Sequence, residues 1–225
     1  MIRLKFLMGI VWLATCTVAM AQDQSIAVYT NAKEIQGSPY LNEAFVAGLI
    51  DLGATKSKLP VRYNIYNDQI EYQQNGQSLA LNPNSGIKKV STGNTTFLFF
   101  DKFDYRGKTK RGYLILLDSG KAMLMSKKRM VFDAAKLGGN VDGTNSPAKF
   151  TQLPDMYYYK IGDGEPKVVD NIKNMIASFP DQQEALKQFA KQEKISARNE
   201  KELIRFVQYY NSLEGNISVS SSKKN

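Results

Sequence analysis

The hydrophobic and polar positions of this chain follow two different periods along its length. From about residue 22 to 165, apolar side chains alternate with polar ones in short runs, which predicts β-strands separated by turns. From about residue 166 to 213, apolar side chains recur every three or four positions, which predicts amphipathic helices. We therefore expect an α+β fold in which an antiparallel β meander is followed by a small C-terminal helical region.

Two turn signals predict hairpins within the meander. Asn75-Gly76 separates two strand-like runs, and both residues tolerate the positive φ that a type I′ turn requires. Ser119-Gly120 is the second signal, and a two-residue loop there places Leu116 opposite Met123. Alternation along this second hairpin then gives two apolar faces, one made of Leu114, Leu116, Met123 and Met125, and the other of Tyr113, Ile115, Leu117, Ala122 and Leu124. A sheet that is apolar on both faces needs a cover, which we expect the C-terminal helices to supply.

Three apolar stripes define the predicted helices. The first stripe consists of Val168, Ile172, Met175, Ile176 and Phe179. Pro180 ends this helix and suits the first turn of the second one, whose stripe consists of Leu186, Phe189 and Ala190. A third stripe follows around residues 203–210. Residues 214–225 show no apolar period and are predicted to be a disordered tail.

The first 21 residues have the pattern of a secretory signal peptide. Arg3 and Lys5 precede an apolar core at residues 6–14, and Ala19-Met20-Ala21 is a cleavage site. The apolar core is shorter than the roughly 20 residues needed to span a bilayer. We predict cleavage after Ala21 and export to the periplasm or to the periplasmic face of the outer membrane. An N-terminal membrane anchor and lipidation at Cys16 are the alternatives.

Composition removes most familiar catalytic chemistry. The chain has no His, one Cys and one Trp, and both Cys16 and Trp12 fall in the predicted signal peptide. The predicted mature chain therefore lacks thiol nucleophiles, histidine bases, disulfides and zinc sites built from imidazole or thiolate. We expect a protein that is not an enzyme and holds no cofactor or metal. Two carboxylate pairs leave a carboxylate-dependent hydrolase as a weak alternative: Asp68 with Glu71, and Asp101 with Asp104.

Basic residues are concentrated around the second hairpin. The net charge is +9, or +7 after loss of Arg3 and Lys5. Seven of the cations flank the hairpin strands: Arg106, Lys108, Lys110, Arg111, Lys127, Lys128 and Arg129. Extending the predicted register places Arg111 opposite Lys128, and like charges across a strand pair are destabilising. This arrangement predicts a site for an anionic partner. The alternative is that these cations lie on a solvated sheet edge, where they prevent pairing with the strand of another molecule.

Aromatic residues offer a second candidate surface. Tyr157 and Tyr159 alternate along a predicted strand and could form a platform for sugars, or they could be core and rim residues.

Two stretches resemble a known group of proteins. GSPYLNEAF at residues 37–45 and LPVRYNIYNDQIEY at residues 59–72 are similar to segments of an uncharacterised family of exported envelope proteins of Bacteroidota, and residues 179–212 resemble its closing segment. The resemblance implies a Gram-negative envelope location and supplies no site residues. Polar residues within the second stretch are interpreted as turn and strand-end residues rather than as a binding surface: Arg62, Asn64, Asn67 and Asp68.

Location and charge together give three functional hypotheses. The first is a non-enzymatic envelope protein that binds another envelope protein or an outer-membrane component. The second is a binder of anionic glycan or lipid through the basic hairpin end, and the third is the hydrolase named above. Nucleic acid is not an expected partner, because the protein is predicted to be exported and no reader motif is present.

Overall fold

The computed structural model describes residues 35–135 and 146–220, and it is mostly β-sheet with a few C-terminal helices. The predicted signal peptide lies outside the described residues. The strands are β1 (Ile35–Gln36), β2 (Val46–Asp51), β3 (Lys56–Asn64), β4 (Gln69–Gln74), β5 (Gln77–Ala80), β6 (Lys89–Thr92), β7 (Thr95–Tyr105), β8 (Lys108–Asp118), β9 (Ala122–Asp133), β10 (Ala148–Ile161) and β11 (Lys167–Val168). The helices are α1 (Ile172–Ala177), α2 (Gln183–Gln192) and α3 (Glu200–Ser220).

The described strands form one mixed sheet that contains two meanders. Strands β6 to β10 pair consecutively and antiparallel, and so do strands β2 to β5. The two runs join where β2 pairs with β6, and β1 pairs in parallel with β10. The expected meander is therefore confirmed only in part. It is interrupted because β5 lies at an edge and the chain returns to place β6 beside β2.

The hairpin of β8 and β9 has the predicted faces but a different register. Leu116 lies opposite Met125, two residues away from the predicted partner. The register shifts between Leu116 and Asp118, which leaves Leu117 without an opposite residue and lengthens the loop. A shift of two residues keeps every side chain on its face. Leu114, Leu116, Met123 and Met125 accordingly pack in one cluster, while Leu124 and Leu117 pack in another.

The helices cover one face of the sheet around β9 and β10. Leu124 and Tyr159 share a buried cluster with helical residues that include Phe179, Phe206 and Tyr210. The first helix starts later than predicted, because Val168 belongs to β11 and pairs with Tyr158. Asn171 then caps α1 by accepting a hydrogen bond from the backbone N–H of Asn174 at 2.7 Å.

The third helix extends past its predicted end. Residues 214–220 were expected in a disordered tail, whereas α3 continues through Gly215 to Ser220. Each residue added to a helix that is already formed gains a backbone hydrogen bond, so the helix can pass through residues of low propensity.

A second core lies on the same face of β8 and β9 as the helices, farther along the strands, where the sheet curls. Inward residues of β2 to β4 share this cluster with residues of β7 and β8, among them Val61, Tyr63, Phe97 and Tyr113. The turn between β3 and β4 reaches across to β9 and β10, where the Tyr66 ring contacts the rings of Phe132 and Phe150. This curl brings the β3–β4 turn over the β8–β9 pair.

Candidate functional site

The candidate site lies where β8 and β9 separate. In the described residues their ladder ends with Ile115 opposite Ser126. Beyond that point β8 continues its pairing with β7, and β9 continues with β10, so an opening forms between the two strands. The β3–β4 turn projects Asp68 into this opening from a positive φ of 53°.

An ion pair closes the bottom of the opening. Lys127 Nζ lies 2.5 Å from Asp68 Oδ1 and donates a hydrogen bond to the Tyr113 carbonyl oxygen at 2.8 Å. Asp68 also accepts a hydrogen bond from the Tyr63 hydroxyl at 2.7 Å. The carboxylate rests against Gly112, where a Cβ atom would overlap it. The ion pair therefore joins β9 to the β3–β4 turn, and it needs a glycine at position 112 because any side chain there would overlap the Asp68 carboxylate.

Burial governs protonation around this pair. Burial lowers the pKa of Lys127 below its ordinary value, and the Asp68 carboxylate opposes that effect. Burial, with Asp68 adding to it, raises the pKa of Tyr63 well above its usual range, and the pKa of Tyr113 rises for the same reasons. Both tyrosine hydroxyls thus stay protonated at neutral pH, and Tyr63 can donate to the carboxylate.

Above the ion pair, the opening forms a cleft of about 130 Å³. The cleft is lined by four of the seven predicted basic residues, Lys110, Lys127, Lys128 and Arg129. Tyr66 and Tyr105 contribute aromatic surface, and Asp68 is the acidic residue among the lining residues. A cleft of this size suits one small anionic group rather than a whole organic ligand.

Two of these four cations have no carboxylate partner among the described residues. Lys127 is paired with Asp68, and Lys128 with Asp155 at 2.5 Å. Lys110 Nζ instead lies 5.9 Å from the centre of the Tyr105 ring. Arg129 donates to the Pro154 carbonyl oxygen at 3.3 Å, and its buried Nε has no hydrogen-bond partner. The cleft therefore carries an excess of positive charge.

The other three predicted basic residues lie outside the cleft lining. Arg106 and Lys108 are at the turn of the β7–β8 hairpin, where Arg106 has a φ of 55°. Arg111 binds Asp101 and Asn84, at 3.0 Å and 2.9 Å. The predicted opposition of Arg111 and Lys128 is wrong, because the register differs by two residues and the strands no longer pair there.

The two predicted tyrosines have different environments. Tyr159 is 5% exposed in the core under the helices, and its hydroxyl lies 2.5 Å from Ser178 Oγ. Tyr157 is half-buried and lines a cavity of about 700 Å³ together with Arg129 and Arg198. Burial raises the pKa of Tyr157, and the carboxylates of Glu200 and Asp155 add to the rise. Tyr157 alone of the pair is thus positioned to contact a ligand.

Sequence reasoning considered Asp68 as a hydrolase carboxylate and as a turn residue but did not link it to Lys127, and it missed Arg198 as a site residue. Asp68 lies in a turn far along the chain from Lys127, and no spacing rule links the two positions. Arg198 lies between α2 and α3 among other charged residues and stands out only once the helices are packed. The positive φ of Asp68 is compatible with its Asn-Asp turn sequence, and that was the available signal.

The carboxylates of the weaker hydrolase hypothesis are engaged by other groups. Asp68 pairs with Lys127, and Asp101 pairs with Arg111. Glu71 pairs with Arg62 at 2.6 Å, and Arg62 also donates to the Tyr40 hydroxyl at 2.7 Å. These contacts tie the β3–β4 hairpin to the preceding segment, which accords with a structural role for Arg62.

No family model matches the chain, and the comparisons with curated proteins and with solved structures found no match. Within residues 35–135 and 146–220, no helix is long and apolar enough to cross a membrane. The same ranges contain no group of three or more His, Cys, Asp or Glu residues arranged to hold a metal ion.

Proposed function

We propose that this protein is an exported, non-enzymatic protein of the cell envelope that binds an anionic group of an outer-membrane component in the cleft between β8 and β9. One observation carries the proposal: among the described residues, Lys110 and Arg129 line the cleft without a carboxylate partner. Unpaired cations beside the buried Lys127 side chain create a positive potential in the cleft, and this potential attracts an anion. The size of the cleft favours a phosphate or carboxylate carried by a larger molecule.

Export and the lack of catalysis rest on the sequence. The pattern of the first 21 residues supports export, and the resemblance to Bacteroidota envelope proteins supports the same location. The predicted mature chain has no His or Cys, which removes the nucleophiles and bases of most familiar hydrolases. Three of the four carboxylates of the hydrolase hypothesis are bound to cations.

Binding of mature protein to purified lipopolysaccharide, measured by biolayer interferometry, tests the proposal. Lys110→Glu should weaken binding about tenfold or more, because it reverses one of the unpaired charges. Lys108→Glu is the matched control, since it makes the same charge change on the same strand outside the cleft lining. Lys127 is unsuitable for this purpose, because its reversal would place a buried carboxylate beside the carboxylate of Asp68. Equal losses in the two variants, or no binding by the unmodified protein, would contradict the proposal.

A second candidate, binding to another envelope protein, is favoured by an apolar hollow on the sheet. The hollow has a volume of about 400 Å³ and is lined by Ala47, Leu49, Leu59 and Pro60 among others. Exposed apolar surface of this kind is typical of protein interaction sites. Cross-linked pull-down from envelope fractions, with Leu59→Glu as the test variant, should recover one stoichiometric partner that the variant loses.

A further inference from the structure

A β-bulge in β10 opens the cavity that contains Tyr157. The register of β10 against β9 shifts between Leu153 and Met156, so Pro154 and Asp155 together oppose Lys128. Bulges of this kind re-aim side chains and are frequent next to functional sites. The resulting cavity of about 700 Å³ lies beside the bulge and is also lined by Arg198 from the segment between α2 and α3.

The lining of this cavity is positively charged. Its acidic residue among the described ones, Asp155, is already bound to Lys128 at 2.5 Å. The charges of Arg129 and Arg198 therefore remain, and the buried Nε of Arg129 has no hydrogen-bond partner in the described chain. Glu200 acts on Tyr157 electrostatically but is not part of the lining. A guanidinium group binds two oxygens of a carboxylate or a phosphate through paired N–H donors, so the two arginines favour one of these groups.

The size and the aromatic wall of the cavity indicate what carries that oxyanion. A volume of about 700 Å³ falls within the roughly 300–1,000 Å³ of sites for small organic ligands, and it is too large for a single inorganic ion. Tyr157 is half-buried, so its ring is held in place while part of it faces the cavity. An aromatic ring of this type offers an apolar surface with a polar tip, which suits the C–H face and hydroxyls of a sugar.

We infer that this cavity binds an acidic sugar unit, with the sugar ring against Tyr157 and its carboxylate or phosphate bound by Arg129 and Arg198. The inference rests on the proposed function, because it identifies the anionic envelope component as a glycan. Arg129 lines both the cavity and the cleft. Successive charged units of one glycan chain would therefore occupy the two sites.

Isothermal titration calorimetry of the mature protein with four probes tests this assignment: oligogalacturonate, mannose 6-phosphate, a neutral galactose oligomer and inorganic phosphate. We expect oligogalacturonate or mannose 6-phosphate to bind and the neutral oligomer not to bind, and the preferred probe distinguishes carboxylate from phosphate recognition. Arg198→Gln should weaken that binding about tenfold. Lys201→Gln is the matched control, because it removes one exposed charge from the neighbouring helix outside the lining.

Two results would overturn the inference: unchanged acidic-sugar binding in Arg198→Gln, or equal affinity for the sugar and inorganic phosphate. Failure of the inference is distinguishable from failure of the proposed function. Loss of lipopolysaccharide binding in Lys110→Glu, together with unchanged binding of every probe in Arg198→Gln, would leave the cleft assignment standing and remove the cavity assignment. Loss in Arg198→Gln without an effect of Lys110→Glu would do the reverse.

Discussion

Replacing Asp68 by Asn isolates the contribution of the buried ion pair to stability. The substitution removes the negative charge 2.5 Å from Lys127 and leaves an ammonium group whose side chain is 7% exposed. Removing one partner of a buried pair costs about 3–5 kcal/mol, because the remaining charge is uncompensated. We expect about 3 kcal/mol here, at the low end of that range, since the Asp68 side chain is 26% exposed and solvent can approach the site.

The double variant Asp68→Asn with Lys127→Met tests the cause of this loss. Met is close to Lys in length, and the Phe103 ring centre lies 5.7 Å from the position of Lys127 Nζ. Replacing both charges should recover most of the stability, to within about 1 kcal/mol of the unmodified protein. Urea unfolding of the mature protein at pH 7 measures all three free energies. A loss below about 1 kcal/mol in the single variant, or no recovery in the double variant, would refute the reasoning.

The same pair makes the stability of the single variant depend on pH. The folded pKa of Lys127 lies below its ordinary 10.5, so between the two values the unfolded chain binds more protons and stability rises with pH. Loss of the Asp68 carboxylate lowers the folded pKa further and widens this window. The deficit of Asp68→Asn should therefore shrink from pH 7 to about pH 9.5, below the range in which unfolded tyrosines ionise. A deficit that does not change with pH would contradict this account.

Three further substitutions test neighbouring parts of the structure by urea unfolding. Gly112→Ala should destabilise by about 1–3 kcal/mol, because φ is 152° and the new Cβ meets the Asp68 carboxylate. Phe179→Ala should cost about 3–5 kcal/mol, since this 1%-exposed ring contacts Tyr159 and Tyr210. Lys110→Gln should leave stability unchanged or raise it by a few tenths of a kcal/mol while weakening lipopolysaccharide binding, because Lys110 repels Lys127.

In the β8–β9 hairpin the faces of the strands could be predicted and the register could not, whereas the Asn75-Gly76 turn does place Gln74 opposite Gln77 as its sequence indicates. Alternation along β8 and β9 assigns each side chain to a face, and this survives a shift of two residues. The register shift arises because Leu117 has no residue opposite it, and the hydrophobic pattern of the sequence does not reveal this bulge. The order of the strands in the sheet could not be predicted either. The chain passes from β5 to β6 and places β6 beside the free edge of β2, and the local sequence does not indicate that choice. The helix stripes were predicted from local spacing alone, apart from Val168.

The basic patch was only partly interpretable for a related reason. Sequence proximity placed seven cations together, but their environments depend on residues distant in the chain. Asp68 neutralises Lys127, Asp155 neutralises Lys128 and Asp101 binds Arg111. Each of these partners comes from another strand or turn. Four of the seven cations line the cleft, and the sequence alone could not identify which of them lack a carboxylate partner.

The distribution of these pairs separates cations that hold the fold from cations available to a ligand. Lys127 and Lys128 each bind a carboxylate at 2.5 Å, so their charges are used within the chain. Lys110 and Arg129 gain no such contact among the described residues. They lie beyond Ile115 and Ser126, where β8 and β9 no longer pair with each other. An open ladder beside unpaired like charges raises the free energy of the empty site. Under the proposed function, binding of an anion would supply the missing countercharge and lower that free energy.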